Sequence, residues 1–219
     1  MMELRKKICI FGTGGFGREV LGCIADVLSG TEGELEESAC FMVDDEFHDG
    51  EKVMGVDVIP RSQFDPQLFD IVIAVGDPHL RRAIVDLLPP KTTFATIIHP
   101  SAILSTSVKV GEGSIITAGV ILTCNIVIGR HAHLNLQTTI GHDCVIGDYF
   151  TSAPAVNISG TCRFGDCVYF GTNAAVREGV TICNDVTIGM GGIVLKDICM
   201  AGVYIGNPVR KLEVGHKLS

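Results

Sequence analysis

Residues 98–128 read IHPSAILSTSVKVGEGSIITAGVILTCNIVI, and stepping by six from Ile98 lands on Leu104, Val110, Ile116, Leu122 and Ile128. The step continues without slipping through Leu134, Ile140, Ile146, Ser152, Ile158, Phe164, Phe170, Val176, Ile182 and Ile188 to Val194. Of these seventeen positions only Ser152 is not a large apolar residue, so one short backbone move recurs along the whole stretch. A second, mostly small or apolar set follows four residues after each, from Ala102, Val108, Ser114 and Val120 to Cys144 and on to Val186. Glycine directly follows the large residue at Gly111, Gly129, Gly141, Gly147, Gly165, Gly171 and Gly189.

A period of six fits neither a helix of 3.6 nor a strand of two; it marks a hexapeptide β-helix. Each hexad supplies a short strand and a corner. The large residue points into the column, and glycine or a small residue lets the backbone bend. At three hexads per coil the stretch makes between five and six coils, a prism about 25 Å tall at the ~4.8 Å spacing of paired strands. Phase alone leaves the hand of the coil open.

The repeat fills less than half of the 219 residues, which leaves room for a second unit. Hydrophobic content of 47% and a mean hydropathy of +0.38 are high, and parallel strands buried on their inner face account for them without a membrane. No apolar run approaches the ~20 residues of a bilayer span. The N-terminal MMELRKKICIFG runs straight into a glycine turn and reads as a first strand, not a signal peptide. Nine scattered cysteines without a CxxC pair point to reduced thiols and a cytoplasmic protein. Cys144 and Cys162 fall in the inward small set and read as packing residues. A net charge of -8 argues against non-specific nucleic-acid binding.

Ahead of the repeat, Lys7 to Phe11 reads as a strand entering Gly12-Thr13-Gly14-Gly15-Phe16-Gly17, and Arg18 to Leu28 as a helix with Val20, Leu21, Ile24 and Leu28 on one face. Gly12, Gly14 and Gly17 match GxGxxG, a turn that lets amides at a helix N-terminus approach a phosphate. A polar acidic stretch, Ser29 to Ser38, precedes a strand at Cys40 to Val43 that ends in Asp44-Asp45. An acid there suits a ribose, although it comes about 30 residues after the glycines instead of the ~20 of a dinucleotide fold. Further strands are expected at Val53 to Ile59 and Asp70 to Val75, and a helix at Pro78 to Leu88. Residues 1–97 thus make one Rossmann-like half domain, enough for a nucleotide or nucleotide-sugar but not for the two halves of a dinucleotide site. Residues 98–219 carry the β-helix and a C-terminal tail.

Ionisable residues in the coils gather between Arg130 and Asp148. His142 follows Ile140-Gly141, so its hexad position faces away from the column. Neighbouring side chains on a flat strand point opposite ways, so His142 and Asp143 act together only if the chain turns there. A hexad corner falls near that point. A carboxylate beside an imidazole fixes its tautomer, as a general base near neutral pH requires; the alternative is a histidine on an exposed flat. His99, His131, His133 and His142 come from different hexad phases, so three convergent zinc ligands and a metal site are not expected.

The FGTGGFGREV opening, VDDE, VGDPHLRR, the hexads, TTIGHDCVIGDY and the closing GNPVRKL together resemble the bacterial sugar acetyltransferases related to sialic acid O-acetyltransferase and to the nucleotide-linked 4-amino-sugar N-acetyltransferases, over nearly the whole chain. The resemblance implies a left-handed parallel β-helix, a homotrimer with acetyl-CoA in the groove between columns, a nucleotide-sugar on the N-terminal unit, no metal, and a place in lipopolysaccharide O-antigen assembly. Carried over by position, His142 matches the base and Asp143 its acidic partner, commonly Glu in relatives. Gly12, Gly14, Gly15, Phe16, Asp44, Asp45 and Asn135 match the substrate site. Gly160, Thr151, Thr172 and Met190 match the coenzyme site, with the Gly160 amide meeting the thioester. Many relatives carry His at Phe16, and some carry His at Thr151. The expected reaction is acetyl transfer from acetyl-CoA to the amine of a nucleotide-linked 4-amino-deoxy-sugar. The alternatives are O-acetylation of sialic acid or a related sugar, and a non-catalytic ligand-binding trimer.

Overall fold

The computed structural model describes residues 6–28 and 32–213; the first residues of MMELRKK, Ser29 to Thr31 of the acidic stretch and the last of the tail lie outside the described residues. The N-terminal unit is a five-stranded parallel sheet. Its elements are β1 (Lys7–Phe11), α1 (Gly15–Leu28), α2 (Glu32–Ser38), β2 (Ala39–Val43), β3 (Val58–Pro60), β4 (Phe69–Ile73), α3 (Pro78–Asp86) and β5 (Thr93–Phe94). The spatial order β3-β2-β1-β4-β5 reverses direction at β1 and β4, the switch point of a mononucleotide-binding half fold. α1 begins at Gly15, earlier than its apolar face suggests. Part of the acidic stretch is helical, because Leu35 packs on the sheet while Glu34, Glu36 and Glu37 face out. The expected strand at Val53 shrinks to β3, preceded by a tight Val53–Val56 bridge.

Gly17 shows why the turn demands its third glycine. A Cβ there would stand 1.9 Å from the Gly12 carbonyl oxygen, so α1 reaches the turn only without a side chain.

From Ile97 onward the chain winds into a parallel β-helix of the left-handed type. Its strands stack every eighteen residues, as in Ile121↔Thr139↔Asn157↔Ala175↔Ile193. Three faces result. The first runs through Ile97–Ile98, Ile115–Ile116, His133–Leu134, Thr151–Ser152 and Tyr169–Phe170; the second through Ile103–Leu104, Thr139–Ile140 and Asn157–Ile158; the third through Lys109–Val110, Val145–Ile146 and Arg163–Phe164. The large hexad residues from Ile116 to Val194 fill one interior cluster with the small set between them. Ser152, the polar exception, is fully buried, and its hydroxyl pairs at 2.9 Å with Thr138 of the small set. Two inward hydroxyls satisfy each other, which removes most of the cost of burying either.

The bends are not where the glycines suggested. Positive φ recurs every six residues from Gly113 through Asn125, His131, Asp143, Tyr149 and Thr161 to Gly191, three positions after each large residue. Most of these corner residues are not glycine. The glycines directly after the large residue serve a different need. A Cβ on Gly111, Gly129 or Gly147 would lie 2.5 Å from the carbonyl carbon of the glycine one coil on. These glycines let coils stack in contact, while the left-handed residue turns the corner.

The N-terminal unit covers the first face. Ile97 and Ile115 join the core of α1 and the sheet, and Arg81 of α3 is fully buried against the column. Its guanidinium donates to the carbonyls of Val75 (2.6 Å), Tyr149 (2.8 Å) and Phe150 (3.2 Å), to Thr151 Oγ1 (2.8 Å) and to His133 Nδ1 (3.0 Å). Among the described residues no helix is long and apolar enough to cross a membrane.

Candidate active site

His142 and Asp143 occupy the corner between the second and third faces. Asp143 is the left-handed residue there, with φ +61°. That turn swings two adjacent side chains to one side, and the Asp143 carboxylate meets His142 Nδ1 at 2.8 Å. Asn125, one coil below, donates to the other carboxylate oxygen at 3.1 Å. These two contacts, His142 first, hold the Asp143 carboxyl below its usual range. With Nδ1–H donated to Asp143, Nε2 carries the lone pair, and half of the imidazole is exposed. The ring lies beside Gly160, one coil above: a Cβ on Gly160 would be 2.7 Å from Nε2 and Cε1. The column therefore builds an outward imidazole with one nitrogen anchored and one open, which can take a proton.

Asn135, Thr172 and Met190 occupy a different corner, between the first and second faces. A groove of about 460 Å³ runs along it, lined by Ala118, Gly119, Leu136, Gln137, Pro154 and Ala155. It continues past Ala118 and Leu136 into a cleft of about 270 Å³ under α1, lined by Glu19, Asp26, His99 and Thr117. Asn135 donates its side-chain amide to the Ser152 carbonyl at 2.6 Å. Met190 is 77% exposed and half-buried Thr172 lies one coil below it. Within one chain the His142 corner and this groove are separated by the second face.

Gly12, Gly14 and Gly15 sit at the C-terminal end of β1, where ligands of open α/β sheets bind. Gly12 lies next to the loop after β4, since a Cβ on it would be 3.4 Å from the Ala74 carbonyl oxygen. Asp44 and Asp45 end β2 on the same edge. Arg61 holds Asp44 at 3.2 Å, and Ser62 donates from both its amide and its hydroxyl to Asp45, which keeps that carboxyl low.

Two of the residues assigned by position have partners within the chain. The ring of half-buried Phe16, in the first turn of α1, packs on His133 of the column, 4.9 Å between centroids. Thr151 is 2% exposed, and its hydroxyl accepts from Arg81 and donates to the Gly76 carbonyl. Both belong to the seam between the two units. So do His131 and His133. Burial pulls His131 down to about 4, with help from Arg130 and Arg81, and holds His133 well below the imidazole range. His131 stacks on Tyr149 and meets Phe94 edge-on. His99 donates from Nε2 to Asp26 at 2.8 Å and accepts from Ser101 at Nδ1. The four histidines considered for zinc thus hold separate posts. Arg81, which organises the seam, was missed because only the fold shows that a charged position on α3 points inward.

The sequence profile of the PglD N-terminal domain matches residues 7–88. The chain is 32% identical over 215 residues to GDP-perosamine N-acetyltransferase of Escherichia coli O157:H7, covering 93% of this chain and 95% of that one. Among solved structures it is similar to the acetyltransferase domain of PglB from Neisseria gonorrhoeae in complex with acetyl coenzyme A, at 28% identity and a TM-score of 0.83, covering 94% and 99% of the two chains. It is equally similar to PerB from Caulobacter crescentus in complex with CoA and GDP-perosamine, at 28% identity and 0.83, covering 96% and 99%. A left-handed β-helix joined to a nucleotide-type half fold, with likeness at this level from end to end, leads to one conclusion: the chain belongs to the bacterial sugar acetyltransferase family.

Proposed function

We propose that the protein transfers acetyl from acetyl-CoA to the amino group of a nucleotide-linked 4-amino-deoxy-sugar, with His142 as general base and Asp143 as its orienting partner. The observation that carries the roles is the corner geometry: Asp143 anchors Nδ1 at 2.8 Å and leaves Nε2 open. The neutral sugar amine attacks the thioester carbonyl while Nε2 takes its proton. The amide of Gly160, beside the ring, is the donor for the developing oxyanion. The thiolate leaves and recovers the proton from His142. Residues on Gly12 to Gly15 and Asp44 to Asp45 hold the nucleotide.

The working unit is a homotrimer. Two features support it. Candidate coenzyme contacts fall on two corners of one prism, Gly160 on one and Thr172 and Met190 on the other, so one ligand meets both only between two copies. Apolar outward residues are also exposed on the two uncovered faces, at Ile103, Ile121, Val127 and Val145. His142 of one copy then stands opposite Asn135 and Leu136 of the next, on the same coil, with the apolar groove taking the pantetheine arm. Use of acetyl-CoA and nine free cysteines fit a cytoplasmic enzyme, and the product fits assembly of an O-antigen.

The test is CoA release with GDP-, UDP- and dTDP-linked 4-amino-sugars against free sialic acid. A nucleotide-linked amine is expected to turn over, and His142→Ala to lower kcat by about 10²–10⁴. Turnover of sialic acid alone, or an alanine variant at nearly full rate, overturns the reading.

A further inference from the structure

The third-to-first corner carries a side-chain cluster that acetyl transfer does not use. Among the described residues, His79, Cys167 and Asp185 are the group of three potential donors whose ligand atoms lie within 4.8 Å of one another. His79 stands in the first turn of α3, with Nε2 3.8 Å from Asp185 Oδ1. Cys167 and Asp185 lie eighteen residues apart at successive coils of one corner. Their backbones are fixed by bonds to the Asp148 and Asp166 carbonyls, 2.9 and 3.0 Å.

We propose that His79, Cys167 and Asp185 bind one divalent transition-metal ion of the zinc class, clipping α3 to the column. Imidazole, thiolate and carboxylate are the ligand types of tetrahedral zinc, and a thiolate selects against magnesium and calcium. With metal–ligand lengths of about 2.0–2.3 Å, tetrahedral donors stand roughly 3.3–3.7 Å apart. From separations of up to 4.8 Å, the cluster needs to close by at most about 1.1–1.5 Å. The two partners that must move, His79 and Asp185, have exposed side chains, 61% and 52%. Cys167 is the fixed ligand, 1% exposed.

Charge balances as well. Cys167 loses its proton on binding, and thiolate plus carboxylate match a dication. The Arg82 guanidinium, which reaches the sulfur, gives it up to the incoming ion. Asp77 caps α3 and offsets the positive end of that helix beside the ion. The fourth position opens on a cleft of about 440 Å³ lined by Gly76, Asp77, Pro78, Tyr169 and Thr187, with room for water. The ion would brace the helix that carries Arg81, so its effect is on stability of the seam and not on the acyl chemistry.

The experiment titrates Co²⁺ into chelator-treated, untagged full-length protein and follows the thiolate-to-cobalt charge-transfer band. One ion per chain with that band is expected. Cys167→Ser should abolish the band, and His79→Ala and Asp185→Asn should each weaken binding about tenfold or more. Zn²⁺ should raise the melting temperature of the parent but not of Cys167→Ser, and Mg²⁺ should raise neither. Absence of the band, or a band that survives Cys167→Ser because the exposed Cys124 or Cys199 supplies it, overturns the proposal.

Discussion

Gly160→Ala tests the active corner at its tightest point. The added methyl would stand 2.7 Å from His142 Nε2 and Cε1 and 3.0 Å from Cδ2. Non-bonded carbons rest at about 3.5–4.0 Å, so the imidazole must retreat by about 1 Å. A catalytic group displaced that far loses about 10²-fold in rate, or about 2.7 kcal/mol in the barrier. Gly160 does not occupy the left-handed region, so alanine meets no backbone penalty. Stability should change by less than about 1 kcal/mol. The assay is CoA thiol release with both substrates varied, beside a thermal melt. The expected result is kcat down about 100-fold with an unchanged melt, and His142→Ala/Gly160→Ala no slower than His142→Ala alone, since both act through one ring. If Gly160→Ala keeps its rate within about threefold, the imidazole at this corner is not the base.

Asp143→Asn keeps the shape but removes the charge facing Nδ1; kcat should fall about 10- to 100-fold with KM for acetyl-CoA unchanged, read in the same assay. Arg81→Lys cannot reproduce the planar fork that serves acceptors on both units, and should cost about 2–4 kcal/mol by urea unfolding. Acid should loosen the seam. His131 falls from 6.5 to about 4 in the fold, so the unfolded chain binds the extra proton between those values. Stability is therefore complete above about pH 7 and drops as pH falls through 6.5, with a loss near pH 4 of about 3 kcal/mol from His131. His133 adds to it in the same direction. Urea midpoints from pH 8 to 4 check this, and His131→Asn, which tolerates the left-handed backbone, should flatten the slope.

Much of the column was legible because a hexad period is local. Each coil repeats the same contact, so spacing alone gives the inward set from Ile116 to Val194, the outward aim of His142 and the buried Cys144 and Cys162. The reading of the glycines went astray for an instructive reason. A residue's φ and its clearance from the next coil are separate demands, and glycine answers either one. Only the stacked backbone shows that Gly111, Gly129 and Gly147 answer the second while Asn125, Asp143 and Thr161 answer the first.

By itself the sequence determined the two architectures and set one imidazole next to one carboxylate, because periodicity and adjacency are properties of a chain; that the two side chains meet was decided by the left-handed corner at Asp143. What touches across the two units belonged to the tertiary structure. Phe16 and Thr151 sit in motifs that point to ligands, yet docking of α1 and α3 on the first face turns them into packing and hydrogen-bonding partners of His133 and Arg81. The same docking gathers His79, Cys167 and Asp185 from positions up to 106 residues apart. The physical reason is that burial and electrostatics depend on distance in space. No spacing rule along the chain tells a solvated histidine from one pressed between a tyrosine and a phenylalanine.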